Sequence, residues 1–264
     1  MYHRILIPVA GPTEVEPLIQ QGAELLDPDG EIRVIHVIPN RSLPEMTRAW
    51  RAATNIVVPA HETGAALDVR VEPDIRSAGN VTAGILDAAE GTEVDAILLT
   101  LGDDRRARSP LMGHTSTALL QHATCDVIIV NRLALLDRNP KKILVPSFTE
   151  APHPKADVVA HQLSLRHGGC PIVSFRVWEA EAIAAAGAGR VRMFGRRRDL
   201  VGAVVAKVAR EGAGLLLLVD EGRQPGGPLL TRTFLEELFQ RAPAPVMALR
   251  SASSAAALES GPME

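Results

Sequence analysis

The feature that most constrains this 264-residue chain is that it runs through one pattern twice. KKILVPSFTEAP at 141–152 echoes HRILIPVAGPTE at 3–14, and CPIVSFRVW at 170–178 echoes IRVIHVIP at 32–39. GLLLLVDEG at 214–222 echoes DAILLTLGD at 95–103, and LLTRTFLEELFQRAPAPVMALR at 229–250 echoes LMGHTSTALLQHATCDVIIVNR at 111–132. A repeat that keeps the order of its elements implies two copies of one unit. The length also exceeds the common single-domain size of roughly 100–150 residues. The expected division is a first domain at 1–132, a linker at 133–140, a second domain at 141–250 and a disordered tail at 251–264, which is small and polar.

Within the first copy, short apolar runs alternate with amphipathic stretches. RILIPV at 4–9 reads as a buried strand, and 14–26 carries Val15, Leu18, Ile19, Ala23 and Leu26 at helical spacing, with Pro17 in the first turn. DPDG at 27–30 reads as a turn before a second strand at 31–39. Residues 43–65 read as a helix that Pro59 ends or kinks. A strand is expected at 67–73, a helix at 80–90 capped by Asn80, an apolar strand at 95–101, a helix at 115–123 and a last strand at 126–132. Strands that are apolar throughout and separated by helices imply a parallel sheet covered on both faces. Right-handed crossovers make each copy a doubly wound α/β open sandwich with a five-stranded parallel sheet. In the second copy only EAEAIAAAGAGRVRMFGRRR separates the second strand from the third helix, so its second helix is expected to be reduced.

Composition removes several function classes. A net charge of -3 argues against a general nucleic-acid binder, and 3% aromatic residues disfavour base-stacking platforms. The clusters Arg105, Arg106, Arg108 and Arg196–Arg198 read as solvated surface or as anion contacts. Two cysteines, Cys125 and Cys170, fall in different halves and form no CxxC motif, so a reducing, cytoplasmic setting is expected. No stretch approaches the ~20 apolar residues of a membrane span, and MYHRILIPVAG lacks the features of a signal peptide.

At ILIPVAG, VIHVIP and the run from DAILLTLG through MGHTSTALLQHATCDVIIV, the chain resembles a tandem universal stress protein. The resemblance spans nearly all of residues 1–250. HATCDV at 122–127 and RAPAPV at 241–246 resemble the family's lead into its last strand. The PVAG-P opening is similar to stress-protein domains at the cytoplasmic ends of permeases and antiporters. The resemblance implies two Rossmann-like sandwiches of the adenine nucleotide α-hydrolase-like kind and a regulatory, stress-response role without catalysis. It also implies that ATP or another adenine nucleotide is held in the first domain. An acidic residue after the first strand would contact adenosine. Backbone at the end of the second strand would hold adenine, and a glycine loop with the next helix N-terminus would hold phosphate. In this sequence those places are Pro8, Val9 and Ala10; Val37; Gly102 and Arg105; and Gly113, His114, Thr115 and Ser116. Free N–H groups, the helix dipole and glycine's open backbone make the phosphate end sensible.

The fit is partial. Ala10 or Gly11 stands where the acid belongs, Arg105 replaces a loop glycine, and His114 replaces a hydroxyl. Asp103 and Asp104 oppose phosphate unless they point away or recruit a cation. Residues 102–116 therefore read either as an anion cradle or as a strand-to-helix connection whose charges face water. The second copy departs further, with Ser147 and Phe148 after its first strand and Thr231 in place of the helix-opening glycine. Gly222, Gly226 and Gly227 could form an anion nest with Arg223, but a structural role for this copy is the simpler expectation. The last strands, VIIV at 127–130 and VMAL at 246–249, are apolar edges expected to pair with each other, in an intramolecular pseudo-dimer or a homodimer. A membrane transporter is a second expected partner, and nucleic acid is not. The alternative function is an interaction module independent of nucleotide.

Other chemistries find little support. His122 and Cys125 are close enough to consider a Cys–His nucleophile, but free Cys at the start of a buried strand usually packs as a small hydrophobe. His36 sits in an apolar strand, where a satisfied core residue is the simpler reading than a ligand. No HExxH, GxSxG or Walker A motif occurs, and neither catalytic residues nor metal ligands are expected.

Overall fold

The computed structural model describes residues 1–40, 42–101, 112–131, 139–148, 154–177, 200–220 and 231–252. Nine strands form one sheet: β1 (Tyr2–Pro8), β2 (Leu26–Pro39), β3 (Arg70–Ala78), β4 (Ala96–Thr100), β5 (Asp126–Val130), β6 (Ile143–Ser147), β7 (Ile172–Arg176), β8 (Leu215–Asp220) and β9 (Val246–Arg250). Their order is β3-β2-β1-β4-β5-β9-β8-β6-β7. Every neighbouring pair is parallel except β5 and β9, which run antiparallel, with Val127 opposite Arg250 and Val130 opposite Met247. The expected pairing of the last strands is thus found within the chain. The first half supplies the expected five strands. The second supplies four among the described residues; 178–199, where its second helix is expected, lies outside them.

Alternation along the strands divides the core between the two faces. Ile5 and Ile7 point to one face, where α1 (Val15–Ala23), α2 (Leu43–Leu67) and α5 (Pro154–Arg166) cover the sheet. Leu6 points to the other, under α3 (Val81–Gly91), α4 (His114–His122), α6 (Leu200–Glu211) and α7 (Arg232–Arg241). Each face carries one apolar cluster that draws on both halves of the chain. This is why the strands read as continuous apolar runs: both faces are buried.

Some boundaries differ from the sequence reading for identifiable reasons. DPDG is not a turn ahead of β2 but lies inside it. Tyr2 pairs with Leu26 and Arg4 with Glu31, so the extra residues form an irregularity in the ladder. A side chain at Gly30 would come within 2.6 Å of Leu26 Cγ and 3.0 Å of the His3 carbonyl oxygen, so the bulge requires glycine. α2 continues through Pro59 and ends at Asp68, which takes the left-handed conformation (φ 54°). The strand expected at 67–73 accordingly begins at Arg70. Asn80 caps α3 as expected, its Oδ1 accepting from the Ala83 amide at 2.8 Å.

The β5–β9 seam is tied by buried polar groups. Asp126, 2% exposed, accepts from the Tyr2 hydroxyl at 2.7 Å and from the Ala252 amide at 2.8 Å, and pairs with Lys155 of α5. Arg250 donates to the carbonyls of Ala123 (2.7 Å) and Cys125 (3.1 Å). Asn131 fastens the other end, its Oδ1 accepting from the Val246 amide at 3.0 Å. Ser251, expected to begin a disordered tail, is instead buried, and its amide donates to the Asp220 carbonyl. Residues 253–264 and most of the expected linker at 133–140 lie outside the described residues.

Candidate functional site

The strand order reverses between β1 and β4, which opens a crevice beyond the carboxyl ends of the strands. A cavity of about 330 Å³ lies there. Its floor is apolar, formed by Val37 of β2, Val81 and Ile85 of α3, and Leu119 of α4. Its polar wall is formed by Glu14, His36, Thr100, Thr115 and Ser116. Of the residues expected from sequence, Pro8, Val9, Ala10, Val37, Thr115 and Ser116 line this cavity. Gly113 and His114 stand beside it, exposed at the start of α4, and are not among its lining. Gly102 and Arg105 lie outside the described residues, as do Asp103, Asp104, Arg106 and Arg108.

A carboxylate does stand near the end of β1, from further along the chain than Ala10 or Gly11. Gly11 is extended, and Pro12–Glu14 form a short 3-10 turn that folds the chain back on the end of β1. The Glu14 carboxylate thereby accepts from the Ala10 amide at 2.7 Å. An acid four residues further along the chain thus stands at the end of the first strand. The sequence signal for it was the Gly-Pro pair at 11–12, which makes a tight return possible.

His36 also belongs to the cavity wall rather than to the closed core. Its Nδ1 lies 2.9 Å from the Val9 carbonyl oxygen. A carbonyl only accepts, so Nδ1 carries the hydrogen. The ring thereby clamps the end of β1 against β2, beside the Val9 amide bond to Ile35 O at 2.9 Å.

The start of α4 completes the pocket. Gly113 occupies the N-cap with φ -71° and ψ 169°, and as glycine it brings no capping side chain of its own. The N-terminus of this helix, which begins at a glycine, stands next to the Thr115 and Ser116 hydroxyls, an arrangement that suits an anion.

The second half contrasts at each of these points. Phe148 stands at the counterpart of Ala10, and Phe234 at the third position after the helix cap, the counterpart of Ser116. Their rings meet edge to face at 5.9 Å and 83°. The Thr231 hydroxyl accepts from the Phe234 amide and so caps α7 internally. Phe175 lies under the Lys207 ammonium, 5.7 Å from the ring centroid. At these counterpart positions the second half carries an aromatic pair and a helix whose cap residue bonds its own first turn. Gly222, Arg223, Gly226 and Gly227 lie outside the described residues.

A larger cleft, about 1000 Å³, lies at the opposite ends of the strands. Its charged groups are engaged with one another: Glu31 with Arg4 (3.3 Å) and Arg70 (3.4 Å), while Arg166 donates to the Ala23 carbonyl at 3.0 Å. The smaller pocket sits at the switch point beside the N-terminus of α4, so it is the better candidate. Burial pushes the Cys125 thiol up to about 11, away from the thiolate that nucleophilic chemistry uses. Among the described residues, no three His, Cys, Asp or Glu side chains gather as a metal site requires, and no helix is long and apolar enough to cross a membrane.

Comparison with known proteins agrees with this architecture. A universal stress protein from Archaeoglobus fulgidus superposes with a TM-score of 0.63 at 16% identity, over 93% of this chain and 97% of that one. A Pseudomonas aeruginosa protein of unknown function gives 0.60 at 13% identity, over 98% and 96%. The cytoplasmic domain of a prokaryotic cation chloride cotransporter gives 0.57 at 12% identity, over 98% and 100%. At these identities the likeness is one of fold. Comparison with curated proteins gives no significant match. The sequence profile of the universal stress protein family matches residues 1–131, the half that holds the whole pocket. Residues 1–131 belong to the universal stress protein family.

Proposed function

We propose that this chain is a regulatory binding module that holds one adenine nucleotide in the pocket of its first half and carries out no chemistry on it. The observation behind this reading is the pocket itself: an apolar slot at the switch point, with a carboxylate at one side and a helix that starts at a glycine at the other. The base lies against Val37, Ile85 and Leu119. The ribose hydroxyls donate to Glu14, an acceptor-only group. The phosphates approach the amides of α4's first turn and the Thr115 and Ser116 hydroxyls. The aromatic pair in the second half supports a single site per chain.

A thermal-shift screen of the purified chain against ATP, ADP, AMP, adenosine and cyclic nucleotides tests the reading, because a ligand that binds only the folded state raises its melting temperature. The expected result is a shift with ATP or ADP that exceeds the shift with adenosine. No shift with any of them at millimolar concentration would refute it. A second reading, a nucleotide-independent interaction module serving a membrane transporter, draws on the fold shared with the cotransporter's cytoplasmic domain. That reading expects no nucleotide shift and a saturable complex with a transporter's cytoplasmic segment.

A further inference from the structure

We propose that Glu236, on helix α7 of the second half, is a positioning residue for the phosphate end of the first-half pocket. The inference rests on the nucleotide reading above. The backbone amide of Met112 donates to Glu236 Oε1 at 3.1 Å, across the seam between the halves. Met112 is fully buried and immediately precedes Gly113, the N-cap of α4. Three and four residues after Met112, Thr115 and Ser116 line the pocket. The same oxygen accepts from Arg232 Nε at 2.9 Å, one turn earlier on α7, so the carboxylate is partly neutralised and its direction fixed.

This bond does something that the first half cannot do alone. Glycine at the cap offers no side chain to hold the start of α4, and the helix's first amides have to stay unoccupied if they are to meet an anion. The backbone must therefore be anchored from outside the helix and just before it. Glu236 supplies that anchor at the one amide that precedes the cap. The second half, whose own counterpart crevice holds the Phe148–Phe234 pair, thus serves the first half's site rather than a site of its own.

The test is isothermal titration of ATP and of adenosine into the full-length chain, comparing wild type, Glu236→Ala and Glu236→Gln, with amide hydrogen exchange of residues 112–116 in the unliganded proteins. Losing a hydrogen bond to a charged group is expected to weaken ATP binding about tenfold in Glu236→Ala while adenosine stays within about twofold. Exchange at 112–116 rises in the same variant. Glu236→Gln keeps an acceptor oxygen and loses about threefold for ATP only; it carries the test if the alanine variant does not fold. Unchanged ATP affinity, or equal losses for ATP and adenosine, overturns the positioning role while leaving the nucleotide reading intact. Wild-type protein that binds neither ligand removes both.

Discussion

Replacing Gly113 by valine separates a glycine needed for folding from a glycine needed for access. Among the described residues, a Cβ built at Gly113 meets nothing within 4 Å, and its φ of -71° suits any residue. The fold should therefore lose only the modest preference of glycine over valine at a cap, about 1 kcal/mol or less. For a chain of this size that lowers the melting temperature by about 2–4 °C. The ligand should respond far more. A branched side chain beside the first-turn amides removes one or two charge-assisted hydrogen bonds, about 2.7 kcal/mol or a hundredfold in affinity. ATP at ~100 times its dissociation constant stabilises wild type by about 2.7 kcal/mol, roughly 5–10 °C. At the same concentration the variant would gain only about 0.4 kcal/mol, near 1 °C. Differential scanning calorimetry with and without ATP reads both quantities. Two results refute the reasoning: a variant that keeps the full ATP shift, or an unliganded melting point lower by more than ~8 °C.

Three further outcomes are expected. Glu14→Gln should weaken ATP and adenosine together, about fivefold each, because Glu14 faces the sugar; titration calorimetry distinguishes this from the ATP-only loss at Glu236. Tyr2→Phe removes a 2.7 Å bond to the buried Asp126 carboxylate, and urea titration should show about 1.5–3 kcal/mol of lost stability. The salt links of Lys207 and Lys142 hold the half-buried Glu211 carboxyl down to about 2, from an ordinary value of 4.5. Because the folded-state value is depressed, the stability from these links is present above about pH 4.5 and lost as the pH falls toward about 2. Glu211→Gln should flatten that part of the urea-midpoint profile, and an unchanged profile would dismiss the pair.

The sheet was legible in the sequence because its strands are buried on both faces, and an uninterrupted apolar run such as AILLT has few other ways to fold. The pocket's apolar side was legible for a related reason: Val37 is fixed by the strand that carries it. Glu14 and His36 were harder. Glu14 reaches its place through the return at Gly11 and Pro12, which depends on local backbone conformation rather than on spacing along a strand. His36 sits in a run that reads as core, and only the end of β1 beside it shows that the ring serves as a clamp at the cavity edge. Glu236 was out of reach. Its partner Met112 lies in the other half, and nothing in the i,i+4 pattern of α7 distinguishes a carboxylate that meets Arg232 from one that also grips a distant amide. DPDG misled because turn chemistry and bulge chemistry use the same residues.

The antiparallel β5–β9 pair also sets an order of events during synthesis. β5 emerges from the ribosome as an apolar strand with one bare edge, and its partner β9 lies roughly 120 residues downstream, about 6–24 s later at ordinary elongation rates. During that interval the first half has every strand of its own sheet yet lacks its neighbour. A second nascent chain on the same message would offer the same bare edge. Delayed or truncated synthesis past residue 131 should therefore yield molecules joined β5 to β5, and rapid completion of the second half is what keeps each chain to itself.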